Sequence, residues 1–350
     1  MNLNIPPLSV WEKLKSSTEP IIMYGTGNGA DKVLDILGEK GIDIQGVTAS
    51  NTFVRERFFR GFKVMPVSYF EELYGEFTII VTFGTSIPEV MDNIYSLGEK
   101  HRVLVPVVPV IGTTVFDENF LNRNRADIEK AYDLLADDLS KKIFSGYVSF
   151  LYGGELCDLK AITTPETEAY EKILGLESNE TYIDIGAYRG DTVDKFLSFT
   201  DNSYSAIICA EPDTKSYKKL TDHCGHLENF KAFNCAVTGV DGEVGFSDVH
   251  GRQSSVGGDK MTPSLSLPTL CEGVIPTYIK IDSEGCEYDI LSNSGNILRE
   301  SKPKLNVAAY HKCEDIFTLP ILTNRLNPQY KIHLRHHPYI PAWDTNFYCV

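Results

Sequence analysis

From Pro20 to about Pro109, short apolar runs alternate with stretches in which apolar residues recur every three or four positions. "IIMYG", "IDIQGVTAS", "FTIIVTFG" and "RVLVPVV" read as strands, and "GADKVLDILGEKG" and "SIPEVMDNIYSLGEK" as helices. That rhythm predicts βαβ units and a small parallel sheet. Between about Asp117 and Phe144, Ile128, Tyr132, Leu135, Leu139 and Ile143 keep helical spacing, which predicts an amphipathic connector helix. A second alternation begins near Thr163. Its strands are "TYIDIGA", "SAIICAE", "FKAFNCAV", "IPTYIKIDSEG" and "KLNVAAY", separated by helical segments, and "YKIHLRH" and "TNFYCV" close it as a strand pair. The expected units are residues 1–112, a helical connector 113–162, and residues 163–350.

Composition narrows the partners. A chain of 350 residues exceeds what one hydrophobic core usually organises, and 42% hydrophobic residues suffice for two. The net charge of -15 repels nucleic acid and anionic membranes. The start "MNLNIPPLSVWEKLKSS" has no signal-peptide pattern, and no run of about 18 apolar residues occurs, so the expectation is a soluble, cytoplasmic protein. The eight cysteines form no C-x-x-C pair and several sit in apolar runs, which suits buried free thiols.

Chemistry concentrates in the second alternation. After "YIDI" the chain turns into a helix, and Gly186 and Gly190 supply backbone freedom and close approach there. The free N–H groups at the start of that helix suit an anion. Asp184 ends the strand, and Glu211 ends the next in "ICAEPD", where a carboxylate can take both hydroxyls of a ribose. The third strand end, "YIKIDSEGCEYDIL", adds Asp282 and Glu284.

Taken together, "YIDIGAYRGDT", "EPD", "NCAVTGVDGEVGF" and "IKIDSEGCEYDIL" resemble the FkbM family of S-adenosylmethionine (SAM)-dependent methyltransferases over roughly Thr163 to Val350. The resemblance implies an α/β fold with the seven-stranded, Rossmann-like sheet of class I methyltransferases. It also implies methyl transfer, usually to oxygen, and SAM at the positions matching Asp184, Gly186, Ala187, Gly190, Asp191, Thr192, Glu211, Pro212, Ala236 and Asp282. One departure is "PTLCEG", where relatives often carry an acidic "T-L-D" segment. The sulfonium charge of SAM suits a chain rich in carboxylates.

In the first alternation "MYGTGNGADKV" supplies part of a dinucleotide fingerprint with Gly25, Gly27 and Gly29, but Ser50 or Asn51 stands where a ribose-binding acid belongs. This segment resembles the smaller Rossmann-like α/β domain of bacterial sugar acyltransferases, which implies a nucleotide sugar as ligand. The alternative is a structural or homodimer-forming role.

For the reaction, His311 follows "NVAAY" and is the expected general base, at an ordinary pKa of about 6.5, with Glu284 in reserve and Asp282 beside it. Asp282, Glu284 and His311 are also the set that would share a divalent ion, although no dense ligand motif calls for a resident metal. His336 and His337 are adjacent on a strand and face opposite ways, so a hairpin with its loop over the acceptor is favoured, Tyr339 and Trp343 stacking on a sugar. "GRQSSVGG", Gly251 to Gly258, reads as a flap or an ordinary loop. The expected function is O-methylation of a sugar, glycan or secondary metabolite. N- or carboxyl-methylation and catalytically silent binding are the alternatives.

Overall fold

A computed structural model describes residues 3–50, 57–247, 255–256 and 260–350. Asn51 and most of Gly251–Gly258 lie outside the described residues. The amino-terminal sheet contains β1 (Ile21–Tyr24), β2 (Gly46–Thr48), β3 (Phe58–Phe59), β4 (Phe62–Met65), β5 (Thr78–Val81) and β6 (Arg102–Leu104), in the order β3-β4-β2-β1-β5-β6. All pairings are parallel except β3 with β4. Every residue of β1 and β5 is buried, as central parallel strands covered on both faces require.

The carboxy-terminal sheet has seven strands: β7 (Thr181–Ile185), β8 (Ala206–Ala210), β9 (Phe230–Phe233), β14 (Tyr278–Ile281), β15 (Lys304–Ala308), β16 (Ile332–His336) and β17 (Thr345–Cys349). Their order is β16-β17-β15-β14-β7-β8-β9, with β17 antiparallel to both neighbours. This is the seven-stranded class I arrangement expected from the sequence. Between β9 and β14 a four-stranded sheet, ordered β10-β13-β11-β12, is made by β10 (Ala236–Thr238), β11 (Gly242–Ser247), β12 (Ser255–Val256) and β13 (Lys260–Ser266).

Two elements differ from the sequence reading. "FKAFNCAV" is not one strand: it breaks at Asn234, whose amide donates to the carbonyls of Glu211 (2.9 Å) and Pro212 (3.2 Å), and β10 leaves for the small sheet. The connector is not one helix either. It divides into Glu118–Asp133 and Asp138–Gly153 because Asp137 caps the second, accepting from Ser140 N at 2.6 Å.

These helices join the two sheets. Asp138–Gly153 packs on β16, Glu118–Asp133 packs on the helix Asp315–Leu326, and Val105 N donates to Gly154 O at 2.8 Å. One continuous apolar cluster therefore runs from Ile22 and Ile79 through Ile128, Phe144 and Val148 to Ile183 and Ile279. Seven cysteines are buried and unpaired, and Cys157 is exposed. Among the described residues no helix is long and apolar enough to cross a membrane.

Candidate active site

In the seven-stranded sheet the strand order reverses between β7 and β14, and the crevice outside their carboxyl ends is where an open α/β sheet binds ligands. A cavity of about 710 Å³ occupies it. Beneath it, strand register lines up Cys209, Asp184, Lys280, Asn306 and Tyr348 in one row across five strands. Lys280 thus stands directly opposite Asp184, with Nζ 3.2 Å from its carboxylate and 3.1 Å from Gly186 O. Burial works against the Lys280 charge, but Asp184 and Asp282 outweigh it and hold the pKa above its usual value. The sequence reading passed over Lys280. Its signal was a single cation in the all-apolar run "YIKI", matched by a single acid in "YIDI".

Asp184 is wholly buried; it accepts from Thr192 Oγ1 and Lys280 and does not line the cavity. Ala187 and Gly190 also stay behind the surface, whereas Gly186, Asp191, Thr192, Glu211, Pro212, Ala236 and Asp282 line it. The two glycines meet their own chain. A Cβ on Gly186 (φ +77°) would lie 1.9 Å from Asp282 O, and one on Gly190 (φ +97°) 2.6 Å from Cys224 Sγ. Gly190 serves helix packing rather than a ligand against bare backbone.

Glu211 organises the turn above β7. Its Oε2 accepts from Tyr188 N and its Oε1 from Asp213 N, both at 2.8 Å. Burial raises its pKa to about 7, against the lowering effect of those two N–H groups. The acid at the second strand end therefore faces the cavity in a rigid seat.

The expected general base sits differently. His311 is wholly buried and does not line the cavity. Its Nδ1 lies 3.0 Å from Glu287 Oε1, and its Nε2 3.4 Å from Asp282 Oδ1 and 3.5 Å from Glu284 Oε2. Burial disfavours the imidazolium, but these three acids raise the pKa to about 10. The expectation of an unperturbed, accessible histidine is thus corrected: it is buried, and the surrounding carboxylates raise its pKa. Glu284 does line the cavity, and burial raises its pKa to about 8. Asp282 accepts from Tyr310 Oη at 2.9 Å. Glu287, missed in the sequence, accepts from Ser283 N (2.8 Å) and Ser283 Oγ (3.0 Å); the signal was the second acid of "EGCE".

Opposite the strand ends, the loop between β16 and β17 brings Tyr339 and Trp343 to the cavity, with ring centroids 5.5 Å apart. The amino-terminal unit contributes Ser86 and Val110 to the lining, and Thr85 N and Ile340 O pair at 2.7 Å. The nearby histidines have separate partners: His333 meets Asp137, His336 meets Thr345, and His337 meets Tyr348. At the amino-terminal glycine turn, a Cβ on Gly25 would lie 2.5 Å from Thr82 Oγ1 and one on Gly29 2.3 Å from Thr82 O. Those two glycines let β1 and its helix approach the end of β5. Ser50 Oγ is bonded to Tyr24 Oη at 2.6 Å.

Residues 184–334 match the sequence profile of the methyltransferase FkbM domain, and the match spans the three strand ends just described. The chain carries an FkbM methyltransferase domain. It is an enzyme of the methyltransferase class. Methyltransferase FkbM from Methylobacillus flagellatus KT has a similar fold, with TM-score 0.75 and 18% identity over 99% of this chain and 94% of that chain. Because that alignment is nearly full-length, the amino-terminal sheet and connector of the FkbM protein are part of the shared fold. Weaker likenesses include precorrin-6y C5,15-methyltransferase from Geobacter metallireducens GS-15 (TM-score 0.35, 11% identity, 53% of this chain and 85% of that chain). Another is Aeropyrum pernix fibrillarin in complex with natively bound S-adenosyl-L-methionine (TM-score 0.32, 10% identity, 50% and 69%). A search of curated proteins finds no match.

Proposed function

We propose that the FkbM domain transfers a methyl group from SAM to a hydroxyl of a sugar, glycan or secondary metabolite. The observation that carries this reading is the single cavity in which Glu211 and the turn after β7 face the acids after β14 and the aromatic pair Tyr339 and Trp343. The residues fit SAM. Glu211 offers a carboxylate to ribose hydroxyls, and the helix Asp191–Phe199 begins without a side-chain cap, leaving its N–H groups for the methionine carboxylate. When bound, SAM supplies an activated methyl group that an oxygen nucleophile can displace in line.

The chain's own task is alignment and proton removal. Tyr339 and Trp343 present flat faces suited to a sugar ring. Glu284 lines the cavity, with its Oε2 turned inward 3.5 Å from His311 Nε2, and on this reading it is the side chain that takes the proton of the acceptor hydroxyl. His311, behind it, lies 3.0 to 3.5 Å from Glu287, Asp282 and Glu284 and positions them.

The test uses methyl-labelled SAM with a panel of oligosaccharides and hydroxylated metabolites, read by mass spectrometry for the gain of one methyl group. Transfer should fall about 10²- to 10⁴-fold in Glu284→Gln while SAM affinity holds within a few-fold. Absence of SAM binding by calorimetry, or labelling confined to amines or carboxylates, would sink the O-methyl reading.

A further inference from the structure

Behind the cavity wall, Asp282 from the turn after β14, Glu287 from the helix that follows, and His311 from the turn after β15 converge. One donor atom of each lies within 4.8 Å of the other two. Glu287 and His311 are wholly buried, and Asp282, with a third of its side chain exposed, opens to the cavity. A second, independent feature singles this cluster out. Neither ring nitrogen of His311 makes a hydrogen bond, and Glu287 Oε2 makes none. The Nδ1 to Glu287 Oε1 separation of 3.0 Å brings the two charges together without hydrogen-bond alignment. Buried polar atoms are almost always satisfied, so three orphans in one cluster call for an occupant with several bonds to give.

We propose that Asp282, Glu287 and His311 bind one divalent first-row transition-metal ion whose open side faces the cavity. One imidazole with two carboxylates is a donor set suited to Mn²⁺ or Fe²⁺ rather than to a thiolate-seeking metal. The backbone N–H of Ser283 and its hydroxyl orient Glu287 from behind, as outer-shell partners orient metal ligands elsewhere. Glu284 stands beside the ion with its own Oε2 unbonded. The opposing account is that His311, as an imidazolium, is the sole counter-charge of these acids and that no ion enters.

The two accounts diverge when Mn²⁺ alone is offered to the full chain after chelation, with no SAM or acceptor present, so the outcome is independent of the O-methyl reading. Electron paramagnetic resonance should show one Mn²⁺ bound per chain with a Kd of about 10 μM or tighter. Its spin-echo envelope should carry the ¹⁴N coupling of a ligated imidazole. Asp282→Asn and His311→Gln should each weaken binding at least about tenfold, and the second should abolish the nitrogen coupling. Glu166→Gln, which removes another acid from the cavity lining, should leave affinity unchanged. Circular dichroism keeps the comparison to folded variants, and Asp282→Asn, at a partly exposed position, preserves the test if His311→Gln does not fold. Failure to bind at millimolar Mn²⁺, binding without nitrogen coupling, or equal weakening by Glu166→Gln would each overturn the proposal.

Discussion

Lys280 and Asp184 form the buried ion pair on which the floor of the crevice rests, and each depends on the other. Removing one partner strands a charge where water cannot reach it, so Lys280→Met should cost about 3–5 kcal/mol in chemical denaturation. The double variant with Asp184→Asn should regain part of that loss; equal destabilisation would show that packing, not charge, is at stake. Glu211 presents the opposite economy. Its folded pKa of about 7 lies above the ordinary 4.5, so the fold is favoured while the group is protonated and that contribution is lost as pH rises through 7. In the proposed function, SAM binding would reverse the preference, because a ribose and a sulfonium cofactor favour the carboxylate. SAM affinity, measured by calorimetry, should therefore weaken as pH falls below about 7, by up to tenfold per unit. Glu211→Gln should bind at least about tenfold more weakly and lose that pH dependence.

At the scale of elements, Asp137 shows how one side chain both begins a helix and ties it to a strand. It caps Asp138–Gly153 through Ser140 N and meets Arg335 Nη2 at 3.0 Å and His333 Nδ1 at 2.7 Å across the gap to β16. Burial opposes its charge, but Arg335, Ser140 and His333 hold its pKa well below the carboxylate range. A lost cap costs about 1 kcal/mol, and leaving the buried Arg335 with only Glu168, at 3.6 Å, as its counter-charge should bring Asp137→Ala to about 2–3 kcal/mol. Asp137→Ser should restore only the cap's share, as thermal melts would show. The βαβ rhythm and the strand ends carrying Glu211 and Asp282 were legible because apolar periodicity and glycine turns are local signals. The break at Asp137 was not, since Leu135 and Leu139 keep helical spacing across it and only the distant Arg335 and His333 reveal why the chain stops. His311 was misread for a similar reason: its place after β15 is written in the sequence, but the three acids around it are brought together only by the fold. Lys280 became visible only once register set it opposite Asp184.

For the whole molecule, the amino-terminal unit helps to shape the active site although it lies outside the matched domain. A Cβ on Gly84 would come within 2.4 Å of the Trp343 ring, so the loop after β5 fixes how that indole faces the cavity. Gly84→Val should raise the acceptor KM several-fold and leave the SAM Kd unchanged; a parallel change in both would mean that the whole crevice has shifted. The connector helices have a different reach. Because one apolar cluster passes through them from Ile22 to Ile279, each sheet shares one face of its core with the other, although Met23 and Ile80 on one side and Tyr182 and Phe196 on the other belong to clusters of a single sheet. Scanning calorimetry should accordingly record a single endotherm whose van't Hoff and calorimetric enthalpies agree, where a two-domain chain would ordinarily give two. Saturating SAM should move that one endotherm upward as a whole, so the heat taken up by the amino-terminal sheet would report a ligand seated on the strand ends of the other sheet.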